Sequence, residues 1–175
     1  VTGTAATSTA IGVDIRSDAG AYSAFSDVVG SYIAGFKYGI TTTNFATDIK
    51  IVRNSIIGTQ PILTDSAAIS WGGQGGSGAS ILANEIEGWE YGVRQTRGKG
   101  VKIISNRFES IDVALVQFEG IAEDNWAVGN DFSAAGGAAV YVNSTTNNII
   151  WGVGGDLFAD RASATFSNLT AVAVI

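Results

Sequence analysis

The feature that most constrains this chain is a segment that recurs along it. Ile81-Leu-Ala-Asn84-Glu-Ile-Glu-Gly88 is followed by Ile103-Ile-Ser-Asn106-Arg-Phe-Glu-Ser110 and by Ala127-Val-Gly-Asn130-Asp-Phe-Ser-Ala134. Two copies stand upstream, Val28-Val-Gly-Ser31-Tyr-Ile-Ala-Gly35 and Ile51-Val-Arg-Asn54-Ser-Ile-Ile-Gly58. With Ser31, Asn54, Asn84, Asn106 and Asn130 as anchors, the spacings are 23, 30, 22 and 24 residues. A poorer sixth copy anchors on Gly155, with Leu157 and Ala159. A fixed period of this size marks a solenoid, in which one supersecondary unit stacks on the next.

The unit is made of strands. Helical repeats would need amphipathic segments of good helix formers, whereas these segments are short, β-branched and punctuated by Gly, Asn and Ser. Three short strands in 22–24 residues make one turn of a parallel β-coil, and about six to seven such rungs give a rod of roughly 34 Å. The column four after the anchor is small throughout (Gly35, Gly58, Gly88, Ser110, Ala134), as a tight bend requires. Asn tolerates left-handed backbone and is expected to turn the corner at the anchor. Its stacked amides are expected to bond along the axis as a ladder. Nine after the anchor stand Ile40, Leu63, Val93, Leu115 and Ala139 as a further apolar column. Two adjacent apolar columns, Val28/Ile51/Ile81/Ile103 and Val29/Val52/Leu82/Ile104, cannot both face inward on a regular strand. The simpler expectation is a bend there; the alternative is an exposed stripe that marks an oligomer interface.

Composition narrows the chemistry. The 175 residues, 46% hydrophobic and 15% charged, suit one folded domain over 1–175 rather than disorder. Without His or Cys there is no imidazole base, serine triad, thiolate nucleophile, disulfide or thiolate metal site. No cofactor or metal is expected. A net charge of −6 argues against nucleic acid as a partner, and no apolar run is long enough for membrane insertion. Val1 begins no signal-peptide pattern, and the absence of Met is expected of a processed or excised chain.

On these residues the chain resembles the right-handed parallel β-helix superfamily of pectate lyases and phage tailspikes. The resemblance carries the anchored Asn column and the 22–24 residue rung over about residues 25–160. It implies an all-β, single-stranded β-helix and carbohydrate polymers as ligands. In tailspikes it further implies a homotrimer of parallel rods, on a virion tail or at a cell surface. It does not specify activity, since the fold hosts lyases, hydrolases, esterases and adhesins.

Some motifs invite other readings. Gly73-Gln-Gly75-Gly-Ser-Gly78 matches a dinucleotide-loop pattern, but a strand-like segment follows where a helix should open. It reads instead as a loop inserted in the 30-residue rung. Asn143-Ser-Thr and Asn168-Leu-Thr are glycosylation sequons relevant only to a eukaryotic secreted protein.

Carboxylates are the remaining acid–base groups. Glu85, Arg107 and Asp131 fall on successive rungs as a charge-alternating ladder. The rung alignment also stacks Glu87 on Glu109 and Glu90 on Asp112, and like charges so placed favour keeping one carboxyl protonated. Such pairs suit glycoside hydrolysis at roughly 5–9.5 Å separation, so Glu87, Glu109, Glu90 and Asp112 are the catalytic candidates. Arg94 and Arg107 stand near that patch as ligand-binding cations. Trp126, in an otherwise polar column, and Tyr141, between Val140 and Val142, are the outward aromatics able to stack on sugar rings. Trp89 reads as core. The leading expectation is a carbohydrate-recognition module, probed against two alternatives: a polysaccharide-cleaving hydrolase or lyase, and a purely structural, trimerising segment of a larger spike.

Overall fold

The structure, a computed structural model, describes residues 10–16, 22–43, 45–72, 77–134, 139–153 and 166–174, with side chains as far as Asp131 except at 22–23 and 120–121. The described residues form no helix. The strands are β1 (Ile11–Arg16), β2 (Tyr22–Ala24), β3 (Asp27–Val29), β4 (Tyr32–Ala34), β5 (Tyr38–Thr43), β6 (Phe45–Thr47), β7 (Lys50–Val52) and β8 (Ser55–Ile57). They continue as β9 (Ala67–Trp71), β10 (Ser80–Leu82), β11 (Glu85–Lys99), β12 (Lys102–Ile104), β13 (Arg107–Glu123), β14 (Trp126–Ala134), β15 (Ala139–Val153) and β16 (Phe166–Val174). Each pairs in parallel with strands one turn away, so the chain is a parallel β-solenoid with about four turns between β3 and β14. β15 and β16 extend the parallel stacking. The poorer repeat at Gly155, Leu157 and Ala159 lies outside the described residues.

Three faces follow from the register. The first carries β3, β7, β10, β12 and the start of β14. The second carries β4, β8 and the first residues of β11 and β13. The third carries β1, β5, β9, the middle of β11 and β13, and the first half of β15.

The corner between the first two faces holds the fold in register. Asn54, Asn84, Asn106 and Asn130 point inward and are almost fully buried. The Asn84 Oδ1 accepts both the backbone N–H (2.9 Å) and the Nδ2 (3.0 Å) of Asn54. Asn84 Nδ2 in turn donates to Ile51 O (2.8 Å) and to Asn106 Oδ1 (2.9 Å). Asn106 repeats the pattern toward Asn130, and Ser31 N–H caps the ladder on Asn54. The expected amide ladder is therefore present, but the left-handed residue is the one before each anchor. Arg53, Ala83 and Ser105 take φ of 55°, 52° and 54° alongside Gly30 and Gly129. The anchor cannot supply the turn, because its side chain must face inward to reach the next amide. The later bend uses small residues as expected: Gly35, Gly88 and Ser110 have positive φ. A Cβ on Gly58 would lie 1.8 Å from Gly88 O, so stacking alone demands glycine there.

The doubled apolar columns divide between inside and outside. Ile51, Ile81, Ile103 and Ala127 are fully buried, while Val29 is 54% exposed and Val52, Leu82, Ile104 and Val128 are half-buried. The backbone bends only after the second column, so this stripe faces outward. The simpler expectation of a bend between the columns is thus corrected.

Insertions fall elsewhere than expected. Four positions separate Ala34 from Tyr38, but ten separate their register partners Ile57 and Ala67. Six of the extra residues in the 30-residue rung therefore lie in the 58–66 connection, not at the Gly73–Gly78 stretch, of which residues 73–76 are outside the description. The strand after Gly78 excludes the dinucleotide-loop reading. This shift, with a bulge between Trp89 and Tyr91, corrects the further apolar column to Ile40, Ile69, Val93, Val116 and Val140 by register, of which Ile40, Ile69, Val93 and Val116 are core. Leu63, Leu115 and Ala139 drop out of it.

Asn84→Ala removes one ladder amide and leaves Asn54 N–H, Asn54 Nδ2 and Ile51 O without that partner. Unpaired buried groups cost about 1–3 kcal/mol each, so a loss of about 3 kcal/mol or more in urea unfolding is expected. A loss below 1 kcal/mol would show that the ladder is incidental.

Candidate functional site

The carboxylate pairs are only partly as expected. Glu87 and Glu109 are direct register partners on the second face. Arg107 intervenes: it reaches Glu85 Oε1 at 2.8 Å and Glu109 Oε2 at 2.6 Å, so Glu109 is ion-paired. The Glu85, Arg107, Asp131 ladder is present in register. Glu90 and Asp112 do not pair. The Trp89–Tyr91 stretch holds one residue against two in Ile111–Ala114, which breaks the ladder there. The Glu90 carboxylate accepts the Asp65 backbone N–H instead.

The expected sugar-binding residues separate onto different faces. Trp126 is outward and 47% exposed, beside Lys102 and the apolar stripe of the first face. Arg107 lies on the second face and Arg94 on the third. Tyr141 aligns with Gln117 on the third face by backbone register, and its side chain lies outside the described residues. Trp89 is core, its Nε1–H donating to Ile56 O at 3.2 Å. Trp126 and the Glu87–Glu109 pair lie on different faces, because the corner turns them apart.

The densest chemistry sits on the third face. Alternation sends Val93 and Gln95 inward and Arg94 outward, in an outer column Asp14, Thr41, Ser70, Arg94, Gln117. Arg94 donates to Asp65 Oδ1 at 2.7 Å and its guanidinium lies 4.8 Å from the Tyr91 ring centre. Its Nε is 3.7 Å from Glu119 Oε2, too far for a hydrogen bond. Tyr38 OH donates to Asp65 Oδ2 at 2.9 Å, and Lys37 Nζ approaches the same oxygen at 3.6 Å. Thus the 58–66 insertion delivers one carboxylate that gathers two cations and a phenol from the two rungs on either side of it.

Beside this hub a groove of about 250 Å³ is lined by Asp14, Arg16, Tyr38, Thr41, Arg94 and Thr96. Its floor includes Ser70, Gly72, Thr42 and Thr43. Thr41 donates to Asp14 Oδ1 at 2.7 Å, and Arg16 pairs with Asp14 at 2.5 Å. A second recess of about 380 Å³ lies across Asp65, against Lys37, Leu63 and Thr64. Among the described residues no group of three or more acidic side chains is arranged to hold a metal ion.

Proton affinities follow the geometry. Partial burial pushes the Asp65 carboxyl up, but the hydrogen bonds from Tyr38 and Arg94 and the charges of Arg94 and Lys37 outweigh it and hold the pKa below its ordinary value. Burial, then the bond to Asp65 and its charge, raise Tyr38. Burial also raises Tyr91, against the opposing charge of Arg94. For Arg94 burial acts downward, but Asp65 and Glu119 prevail and raise it.

Asp65, Tyr38, Lys37, Tyr91 and Glu119 were not singled out from sequence. The 30-residue spacing was the available signal, but assigning Leu63 to a core column hid the insertion that carries Asp65. Compared with known proteins, the chain matches no family model, no curated protein and no solved structure.

Because the folded pKa of Asp65 lies below its unfolded value, its stabilisation is present above the ordinary carboxylate pKa of 3.8 and is lost as pH falls through the depressed value. Protection of the 58–66 amides, taken relative to the intrinsic exchange rate at each pH, should therefore fall below about pH 4, and Asp65→Asn should show the low protection already at pH 7. Equal exchange in both proteins at pH 7 would remove the ion cluster as the clasp of this loop.

Proposed function

We propose that the chain is a carbohydrate-recognition module of a phage tailspike-like or surface adhesin protein. In this reading it binds a bacterial surface polysaccharide through the groove beside Arg94, at a virion tail or cell surface. The observation that carries the reading is where unpaired polar atoms collect. Six buried side-chain polar atoms among the described residues have no hydrogen-bond partner: those of Thr42, Thr43, Trp71, Arg94, Gln95 and Gln117. All six belong to strands of the groove face, on β5, β9, β11 and β13. Three of the six, on Thr42, Trp71 and Gln95, face the core; the other three face outward, and since buried polar groups are normally partnered, these three suit a ligand that is itself dense in donors and acceptors. Arg94 Nε, Thr43 Oγ1 and Gln117 Oε1 are on outward positions, where sugar hydroxyls supply both roles. Tyr38 and Tyr91 add partly buried phenol rings able to pack on pyranose faces. The Asp14–Arg16 and Asp65–Arg94 pairs offer bidentate contacts to vicinal diols.

Assembly as a homotrimer belongs to the same proposal. The outward stripe Val29, Val52, Leu82, Ile104 and Val128, continued by Trp126, runs along the rod, and continuous exposed apolar surface marks an interaction site. Trp126 is then an interchain contact, not a sugar platform. Cleavage is the second reading, favoured by the register pairing of Glu87 with Glu109. It requires Arg107 to release Glu109 as ligand binds.

Titration against bacterial capsular and O-antigen polysaccharides tests the module. Saturable binding is expected, weakened about tenfold or more by Arg94→Ala and left unchanged by Glu109→Gln. Hydrolysis products abolished by Glu109→Gln would establish the cleavage reading in its place. Light scattering should give three times the chain mass, reduced by Trp126→Ala; a monomer at all concentrations rejects the trimer without touching the groove.

A further inference from the structure

The two faces that flank the Asn-ladder corner carry opposite charge. On the first face the outward apolar stripe runs beside the column Asp27, Lys50, Ser80, Lys102, Trp126. Asp27, the one carboxylate in that column, lies 3.9 Å from Lys50. Lys102 is exposed and enters no ion pair among the described residues, and the same holds for Arg53 at the adjoining corner. The second face is the reverse. Glu85, Arg107 and Asp131 share one outward column, and Glu87 and Glu109 stand in the next. Arg107 is committed to Glu85 and Glu109, while the Glu87 carboxylate has no ion-pair partner among the described residues. Toward its N-terminal end this face turns apolar, with Tyr32 exposed on the same turn as exposed Val29.

This distribution selects the symmetry of a self-contact. A two-fold contact sets a face against its own copy, which opposes cations to cations on the first face or carboxylates to carboxylates on the second. A head-to-tail contact sets the first face of one copy on the second face of the next, where opposite charges meet. Because both faces flank one corner, repeating that contact turns about an axis beside the corner and closes a ring. The corner is slender: its column is Gly30, Arg53, Ala83, Ser105, Gly129, and a Cβ on Gly30 or Gly129 would meet nothing within 4 Å. An axis along the rods keeps corresponding turns at equal height. Lys102 then stands within one rung, about 4.8 Å along the axis, of Glu87 in the neighbouring copy, a span its flexible four-carbon stem can cover.

We propose that copies of this chain assemble head to tail, first face on second, with Lys102 and Arg53 of one copy against the Glu87 carboxylate of the next. The inference rests on the homotrimer proposed above and names the surfaces that meet in it. The apolar stripe is covered by the same contact, and the third face, with the Arg94 groove, stays on the outside of the ring.

Sedimentation of the full chain and of its charge-reversed variants tests this, with circular dichroism confirming that each variant folds. Lys102→Glu and Glu87→Lys should each raise the concentration at which the trimer half-dissociates about tenfold or more. The double variant Lys102→Glu/Glu87→Lys should return it to within about threefold of wild type. Such rescue reports a contact between chains, since within one chain the two residues lie on different faces. The chain has no cysteine of its own, so Lys102→Cys/Glu87→Cys treated with a short bismaleimide should give covalent trimers. A wild-type monomer at all concentrations rejects the trimer and this inference with it. A trimer that neither reversal weakens, or that the double variant fails to rescue, overturns the pairing of faces while the trimer stands. A covalent dimer from Lys102→Cys alone overturns it as well, because it reveals a two-fold contact.

Discussion

The amide ladder is the constraint on which the remaining structure depends. A parallel solenoid aligns its rungs by backbone hydrogen bonds, and those alone tolerate a slip that exchanges inward and outward side chains. Each buried Asn removes that freedom. Its oxygen takes two donors from the preceding rung, and its nitrogen reaches one rung back and one forward. A one-residue slip at the corner would break all four bonds in a buried setting. The isoleucines of neighbouring columns can then stack without themselves specifying register, which explains why their identities vary so little while their lengths of connection vary so much.

Once the corner is held, the other connections are open to insertion. The 58–66 segment is the case in point. It enters between the second and third faces, leaves Ile57 and Ala67 in register with the turn before, and folds over the outer column. Asp65 at its end draws together Tyr38, Arg94 and Lys37. These are exposed to partly buried ion pairs, individually of modest value. Their consequence is positional: they fix the groove wall and orient the Arg94 guanidinium against Tyr91.

The three faces consequently differ in character although one repeat generates them all. The first is apolar along its axis, the second carries paired charges at Glu85, Arg107 and Glu109, and the third carries hydroxyls, the Arg94 hub and unpaired polar groups. A solenoid permits this because each face is a separate set of columns. The proposed assembly stripe and the proposed ligand groove therefore lie on different sides of the rod and share no residues.

The repeat, the β character, the amide ladder, the burial of Trp89 and the outward aim of Trp126 were legible in the sequence. Each depends on spacing within one rung or on a column repeated several times, where stacking makes local pattern and tertiary position nearly the same thing. The groove was not legible. Arg94 alone was named, and its partners Asp65, Tyr38 and Glu119 come from different rungs at an insertion and beyond a bulge, where counting residues no longer predicts register. The same bulge separates Glu90 from Asp112, which sequence spacing had stacked. Sequence determined the columns because hydrogen-bonded rungs repeat; only the tertiary structure decided which columns meet around a corner, because that depends on the backbone path between them.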